Sequence, residues 1–184
     1  MTAPILISAC LLGQPVRYDG GANGVAQHPV LAAWLAAGRV LALCPELAGG
    51  LPVPRPPAER LRDAQGRERV LDVHGRDVTA AFEAGAEQAL SLAREHGVRL
   101  AVLKEGSPSC GSGYVYDGSF SRRRVPGRGL TAERLMQAGI RVFSEHELEA
   151  AQRWLQALEA GNDLEAAAAA AAAPTPPRKE LDAS

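Results

Sequence analysis

The sequence predicts an α/β fold, a parallel sheet covered by helices on both faces. Three observations point to it. Short apolar runs alternate in order with segments of helical period. The runs are continuously apolar, as strands buried on both faces must be, and do not alternate with polar residues. Gly and Pro punctuate the boundaries between segments.

Each element can be justified in turn. "PILIS" (Pro4 to Ser8) is a β-branched, apolar run that suits a buried strand. A turn-rich loop, "GQPVRYDGGANG", follows it. "HPVLAAWLAAG" reads as a helix with Pro29 at an early position and Gly38 at its stop. "RVLAL" (Arg39 to Leu43) is the second strand, and the next segment, "CPELAGGLPVPRPPAE", is too rich in proline for a regular element. "RLRDAQGRERVLDV" reads as a small hairpin turning at Gln65-Gly66. Asp77 or Thr79 can cap a long helix in which Phe82, Ala86, Ala89, Leu90 and Ala93 recur at helical spacing, with Gly97 as its stop. "VRLAVLK" is the third strand, "GLTAERLMQAG" a helix with Thr131 as its cap, and "IRVFS" the fourth strand. Ser144 and Glu147 make a capping-box signature for the last helix, "EHELEAAQRWLQALEAG".

Composition divides the chain into a domain over residues 1–160 and an Ala/Pro-rich flexible tail over 161–184. The tail contains the run Ala166 to Ala173, which Pro174 ends. A chain of 184 residues can bury a proper core. The net charge of −1 gives no general pull toward nucleic acid, so stable nucleic-acid binding is not expected. No apolar run is long enough to span a bilayer. "LISAC" looks like the end of a lipoprotein signal, but "MTAPI" supplies neither the basic region nor the apolar stretch of about 7–15 residues such a signal needs. A cytoplasmic protein is expected.

The three cysteines carry the chemistry. Cys10, Cys44 and Cys110 each follow one of the first three strands. In a parallel α/β sheet, ligands bind beyond the carboxyl ends of the strands, so all three thiols should reach one rim. They could still be unrelated thiols in a reducing compartment. Zinc on three Cys and a water is one alternative, though catalytic zinc usually includes His or a carboxylate. His28 and His96 fall in helices and His74 near a turn, so none is an obvious ligand. A four-iron cluster is normally held by four thiolates, and with three it keeps one iron open. Such an iron can act as a Lewis acid or bind soft sulfur. Gly13, Gly106, Gly111 and Gly113 would let backbone approach a cluster closely.

Six ordered motifs carry a resemblance: "SACLLG", "RYDGG", "CPELAGGLPVPRPPAE", "GRDVTAAFEAGA", "LKEGSPSCGSGYVYDG" and "GRGLTAERLMQAGIRVFSE". Over Ile5 to Glu145 the chain resembles the thiouracil desulfidase family, formerly an uncharacterised bacterial domain family. The resemblance implies a single Rossmann-like domain. It implies a 4Fe-4S cluster on Cys10, Cys44 and Cys110 with one open iron site. It also implies a non-redox reaction, in which thiocarbonyl sulfur binds that iron, water replaces sulfur at carbon, and sulfide leaves. Many relatives carry a further cysteine near Val16, which is absent here.

That chemistry asks for a base to deprotonate the attacking water. Glu46, two residues after Cys44, is the first choice, supported by the resemblance, with a solvated loop carboxylate or a helix N-cap partner as the alternative. Ser107 and Ser109 flank Pro108, and either could orient the water or the base, or both could simply shape the turn. Arg17, Tyr18 and Asp19 are candidates for substrate binding, the Tyr by stacking on a pyrimidine and the Asp by accepting from a ring N–H. They could instead form an internal salt bridge and turn. Lys104 and Glu105 either pair with each other or face the pocket. Arg122, Arg123, Arg124 and Arg128 precede a helix start, where a phosphate could bind, or they form a solvated basic loop. The expected partner is a small thiolated pyrimidine base or nucleotide. Desulfuration of thiouridine in tRNA and a non-catalytic metal-binding or redox-sensing role remain as alternatives, and the oligomeric state is left open.

Overall fold

The structure, a computed structural model, describes residues 3–62 and 64–161. In chain order its elements are β1 (Ile5–Ser8), a 3-10 turn (Ala9–Leu12), α1 (Pro29–Ala36), β2 (Val40–Leu43), α2 (Pro45–Ala48), β3 (Ala58–Arg62) and β4 (Glu68–Asp72). There follow α3 (Thr79–Glu95), β5 (Leu100–Leu103), β6 (Tyr114–Tyr116), β7 (Arg124–Pro126), α4 (Leu130–Gln137), β8 (Arg141–Ser144) and α5 (Leu148–Glu159). The four expected strands form one all-parallel sheet in the order β2-β1-β5-β8. The chain moves outward from β1 to β2, then crosses back to β5, so the direction of winding reverses between β1 and β5. That is the Rossmann-like arrangement, and its ligand position lies at the carboxyl ends beside the reversal.

Alternate residues of each strand feed two cores. Ile5, Ile7, Leu100, Val102 and Phe143 face α1 and α5 through Leu31, Trp34, Leu148, Trp154 and Leu155. Leu6, Ala101, Leu103 and Val142 face α3 and α4 through Ala89, Ala93, Ala132 and Leu135. Each large apolar side chain so buried contributes about 1.5–3 kcal/mol. The continuous apolar runs are thus explained: both strand faces meet helices.

Several boundaries depart from the sequence-based expectation. The proline-rich stretch after Cys44 holds one helical turn, α2, because Pro45 at the first helical position loses no hydrogen bond. Thr131 does not cap α4. Gly129 holds the cap position, and Thr131 lies buried inside the helix. The Ser144–Glu147 bonds form, with the Glu147 carboxylate accepting from the Ser144 N–H (2.9 Å) and hydroxyl (2.8 Å). Ser144 nevertheless belongs to β8, and α5 starts at Leu148. The β6–β7 hairpin was not foreseen. It pairs antiparallel in strands of three residues each, too short to display a period of two. The tail expected over 161–184 lies outside the described residues from position 162 onward. No helix among the described residues is long and apolar enough to cross a membrane.

Candidate active site

The three cysteines follow three adjacent strands, because β1 stands between β2 and β5. Cys10 sits in the 3-10 turn that continues β1, and Gly13 closes that turn at φ +85°. The Cys10 carbonyl also accepts from the Asn23 N–H (3.0 Å), which folds the intervening loop back over the turn. Cys44 stands at the junction of β2 and α2. Its thiol donates weakly to the Val16 carbonyl at 3.8 Å. Cys110 follows β5 in a loop whose shape Ser107 fixes, since the Ser107 hydroxyl accepts from the N–H groups of Ser109 and Cys110, both at 3.1 Å. Ser8, at the end of β1, donates its hydroxyl to Cys110 Sγ (3.5 Å) and accepts from the Lys104 N–H (3.0 Å).

All three cysteines are free thiols, with Cys10 and Cys110 buried. Burial pushes the Cys10 thiol up to about 11, and nearby Cys44 adds to the shift. Burial pushes Cys110 up to about 12 against the Ser8 hydrogen bond, with Glu46, Cys10 and Cys44 adding. The Cys44 thiol is raised as well, chiefly by burial. Each thiol is therefore protonated at neutral pH in the metal-free protein.

Glu46 lies on the single turn of α2 and is clasped from two sides. Arg55 donates to its Oε2 through Nε (2.7 Å) and Nη2 (2.6 Å), and the Ser107 hydroxyl donates to its Oε1 (3.3 Å). The Arg55 side chain is only 6% exposed, and it also donates to the carbonyls of Pro52 and Val16, both at 3.1 Å. Sequence reasoning did not single out Arg55. Its lone charge inside a proline-rich stretch was the available signal. α2 can seat here because Gly49 and Gly85 let it approach α3. A Cβ on Gly49 would stand 1.9 Å from the Ala81 carbonyl oxygen, and one on Gly85 would stand 2.0 Å from that of Pro45.

Not every candidate reaches this cluster. The Ser109 hydroxyl is fully buried and bonded to Thr131 Oγ1 at 2.9 Å, turned toward α4. Arg17, Tyr18 and Asp19 form a turn with an internal ion pair, Arg17 Nη2 to Asp19 Oδ2 at 3.4 Å. Tyr18 is exposed there, with the Arg17 guanidinium 5.8 Å from its ring centre. Lys104 pairs with Glu145 and not with the Glu105 carboxylate. The start of α4 is no free phosphate site. Its N–H groups at Gly129, Leu130, Thr131 and Ala132 already donate to the carbonyls of Gly111, Pro108 and Ser109. Of the basic loop, Arg123 faces Asp117 at 3.6 Å and Arg124 lies over the Tyr114 ring at 4.6 Å.

Two concavities border this region. An open groove of about 680 Å³ runs between the two hairpins, but its Arg60 is already paired with Glu68 and Glu133. A cavity of about 280 Å³ has Glu46, Arg55, Pro52 and Phe82 in its wall. No cysteine stands in the wall of either.

Among the described residues, no three His, Cys, Asp or Glu side chains converge closely enough to hold one metal ion. A cluster takes each thiolate at a different iron, so it needs soft donors spread around a common centre. Two buried thiols and a half-buried one, placed after three adjacent strands with no histidine among them, are the soft donors that chemistry takes.

The fold and the site together define an α/β protein with a three-thiol rim and a clasped carboxylate at its switch point. The chain belongs to the 2-thiouracil desulfurase family, whose match covers residues 5–147. A solved structure described as the 4Fe-4S-dependent thiouracil desulfidase TudS is 51% identical and superposes with a TM-score of 0.77, covering 86% of this chain and 99% of that one. The uncharacterized protein YbbK of Bacillus subtilis (strain 168) is 40% identical over 149 residues, which make up 78% of this chain and 97% of YbbK.

Proposed function

We propose that this protein is a non-redox desulfidase of thiolated pyrimidines, of the thiouracil or thio-UMP type. Cys10, Cys44 and Cys110 would hold a 4Fe-4S cluster at three irons and leave the fourth open. The observation that carries the reading is the placement of the three cysteines after three adjacent parallel strands, with the Glu46–Ser107 contact joining two of the loops that follow them. Membership in the desulfurase family and the similarity to TudS support it.

When bound, such a cluster supplies an open iron that takes the soft thiocarbonyl sulfur and makes the ring carbon more electrophilic. The residues of the chain do the rest. Glu46 Oε1 accepts a proton from the attacking water, while Arg55 holds Oε2 and fixes the plane of the carboxylate. The Ser107 hydroxyl donates to the same Oε1 and aligns it. Water oxygen replaces sulfur at carbon, and sulfur departs as sulfide with the protons of that water, so no electrons are needed from outside. Tyr18 would offer its exposed face to a pyrimidine and Asp19 an acceptor to a ring N–H, both from the loop that follows Cys10. Ser109 serves by docking the Cys110 loop on α4. Three free thiols and an open iron suit a reducing cytoplasm.

The test is anaerobic reconstitution, iron and sulfide counts, and a sulfide-release assay on 4-thiouracil and 4-thio-UMP. Absence of sulfide release from a fully loaded protein would remove the reading in favour of a sensing role. Desulfuration of tRNA would require phosphate contacts and a steep salt dependence of binding, which a net charge of −1 does not favour.

A further inference from the structure

We propose that Glu105 is the positioning residue that shapes the Cys110 loop for cluster ligation, an assignment that rests on Cys110 being a cluster ligand. Glu105 follows the end of β5 and is 9% exposed. Its Oε1 accepts from the backbone N–H groups of Gly106 (3.0 Å), Ser112 (3.0 Å), Gly113 (3.2 Å) and Tyr114 (3.3 Å). Its Oε2 accepts from the Gly113 N–H (3.2 Å) and the Ser112 hydroxyl (2.9 Å). The chain on both sides of Cys110 therefore turns its amides inward onto one carboxylate. Concave rows of backbone N–H groups are anion-binding devices, and here the chain supplies its own anion.

The anchor is itself held. The Glu105 N–H donates to Glu145 Oε2 at 2.7 Å, and its carbonyl accepts from Lys104 Nζ at 3.1 Å. Glu145 follows β8, so the neighbouring strand end fixes where the carboxylate stands. The loop closes tightly on it: a Cβ on Gly111 would lie 2.6 Å from the Tyr114 carbonyl oxygen and 3.3 Å from Glu105 Oε1. Without the carboxylate, four amides lose their acceptor, and the loop must open to find water. Cys110 would then lose its place relative to Cys10 and Cys44.

The experiment uses the full chain as wild type, Glu105→Gln and Glu105→Ala. In the metal-free, reduced protein, peptide mass spectrometry follows iodoacetamide labelling of each cysteine. In the reconstituted protein, visible absorbance follows iron loss to a chelator. The expected result is Cys110 labelling accelerated about tenfold or more with Cys10 unchanged, and iron lost about 10–100-fold faster, the range typical when a partner behind a metal ligand is removed. Glu105→Gln, which keeps one acceptor oxygen, should fall between wild type and Glu105→Ala. If Glu105→Ala does not fold, Glu105→Gln decides the matter. Cys110 labelling at the wild-type rate in a folded variant overturns the proposal, as does equal acceleration at all three cysteines. A wild-type protein that takes up no iron would overturn the cluster reading instead, and the labelling comparison would still judge Glu105.

Discussion

The Ser107 hydroxyl meets Glu46 Oε1 at 3.3 Å across the end of β1, joining the loop after β5 to the turn after β2. Neither residue lies on the strand between them. The contact therefore depends on the sheet order and would be lost if the flanking segments shifted.

Exchange of Glu46 for Gln should keep the cluster and lower the rate of sulfide release about 100- to 10,000-fold, the usual contribution of a positioned base. Iron content and steady-state rate, measured on the same preparation, check this. An unchanged rate would take Glu46 out of the mechanism.

Changing Cys10, Cys44 or Cys110 singly to Ala should abolish turnover and bring iron content after reconstitution close to background. A variant that still binds iron and turns over would show that its cysteine is not a ligand. The three variants should remain folded, since Ala keeps these positions small and apolar, Cys10 and Cys110 within the two core clusters and Cys44 half-buried.

In the metal-free protein the raised thiol pKa values make stability fall at alkaline pH. The folded protein keeps Cys10 and Cys110 protonated up to about 11 and about 12, against the thiol's ordinary 9.0. Their contribution is fully present below pH 9 and is lost as pH rises through 11 to 12. Melting temperature should drop over that window, and less so in Cys110→Ala. Parallel curves for the two proteins would contradict the assignment. The same shifts mean that cluster loading at neutral pH releases protons, measurable in a weakly buffered solution.

Gly85→Ala should cost about 1–3 kcal/mol through overpacking, because its new methyl would meet the Pro45 carbonyl. It should also lower activity, since α2 carries Glu46 and starts at Cys44. A melting curve and a rate assay together test this. Full activity would mean that α2 can shift without disturbing the site.

The fold was legible where burial dictates composition. β1 and β5 appear as apolar runs because helices cover both their faces, the edge strands β2 and β8 read the same way, and the long amphipathic face of α3 is equally plain. The β6–β7 hairpin stayed hidden because its strands are short, and its arginines serve surface contacts. At the site, Cys10, Cys44 and Cys110 could be grouped from their places after strands. Arg55 and Glu105 could not, because their partners are main-chain groups and a carboxylate that only the folded loops bring near. Ser109 shows the converse: a residue beside a cysteine in sequence can turn its side chain to the opposite side.

The three cysteines stand far apart along the chain and reach one rim of the sheet only through strand pairing. On the ribosome, a nascent polypeptide halted before β5 emerges would display Cys10 and Cys44 without Cys110. On the proposed three-cysteine ligation, iron delivery would wait until translation has passed the third donor and the sheet has closed. Assembly machinery would meet a finished scaffold here, unlike the small zinc modules that metal itself must fold.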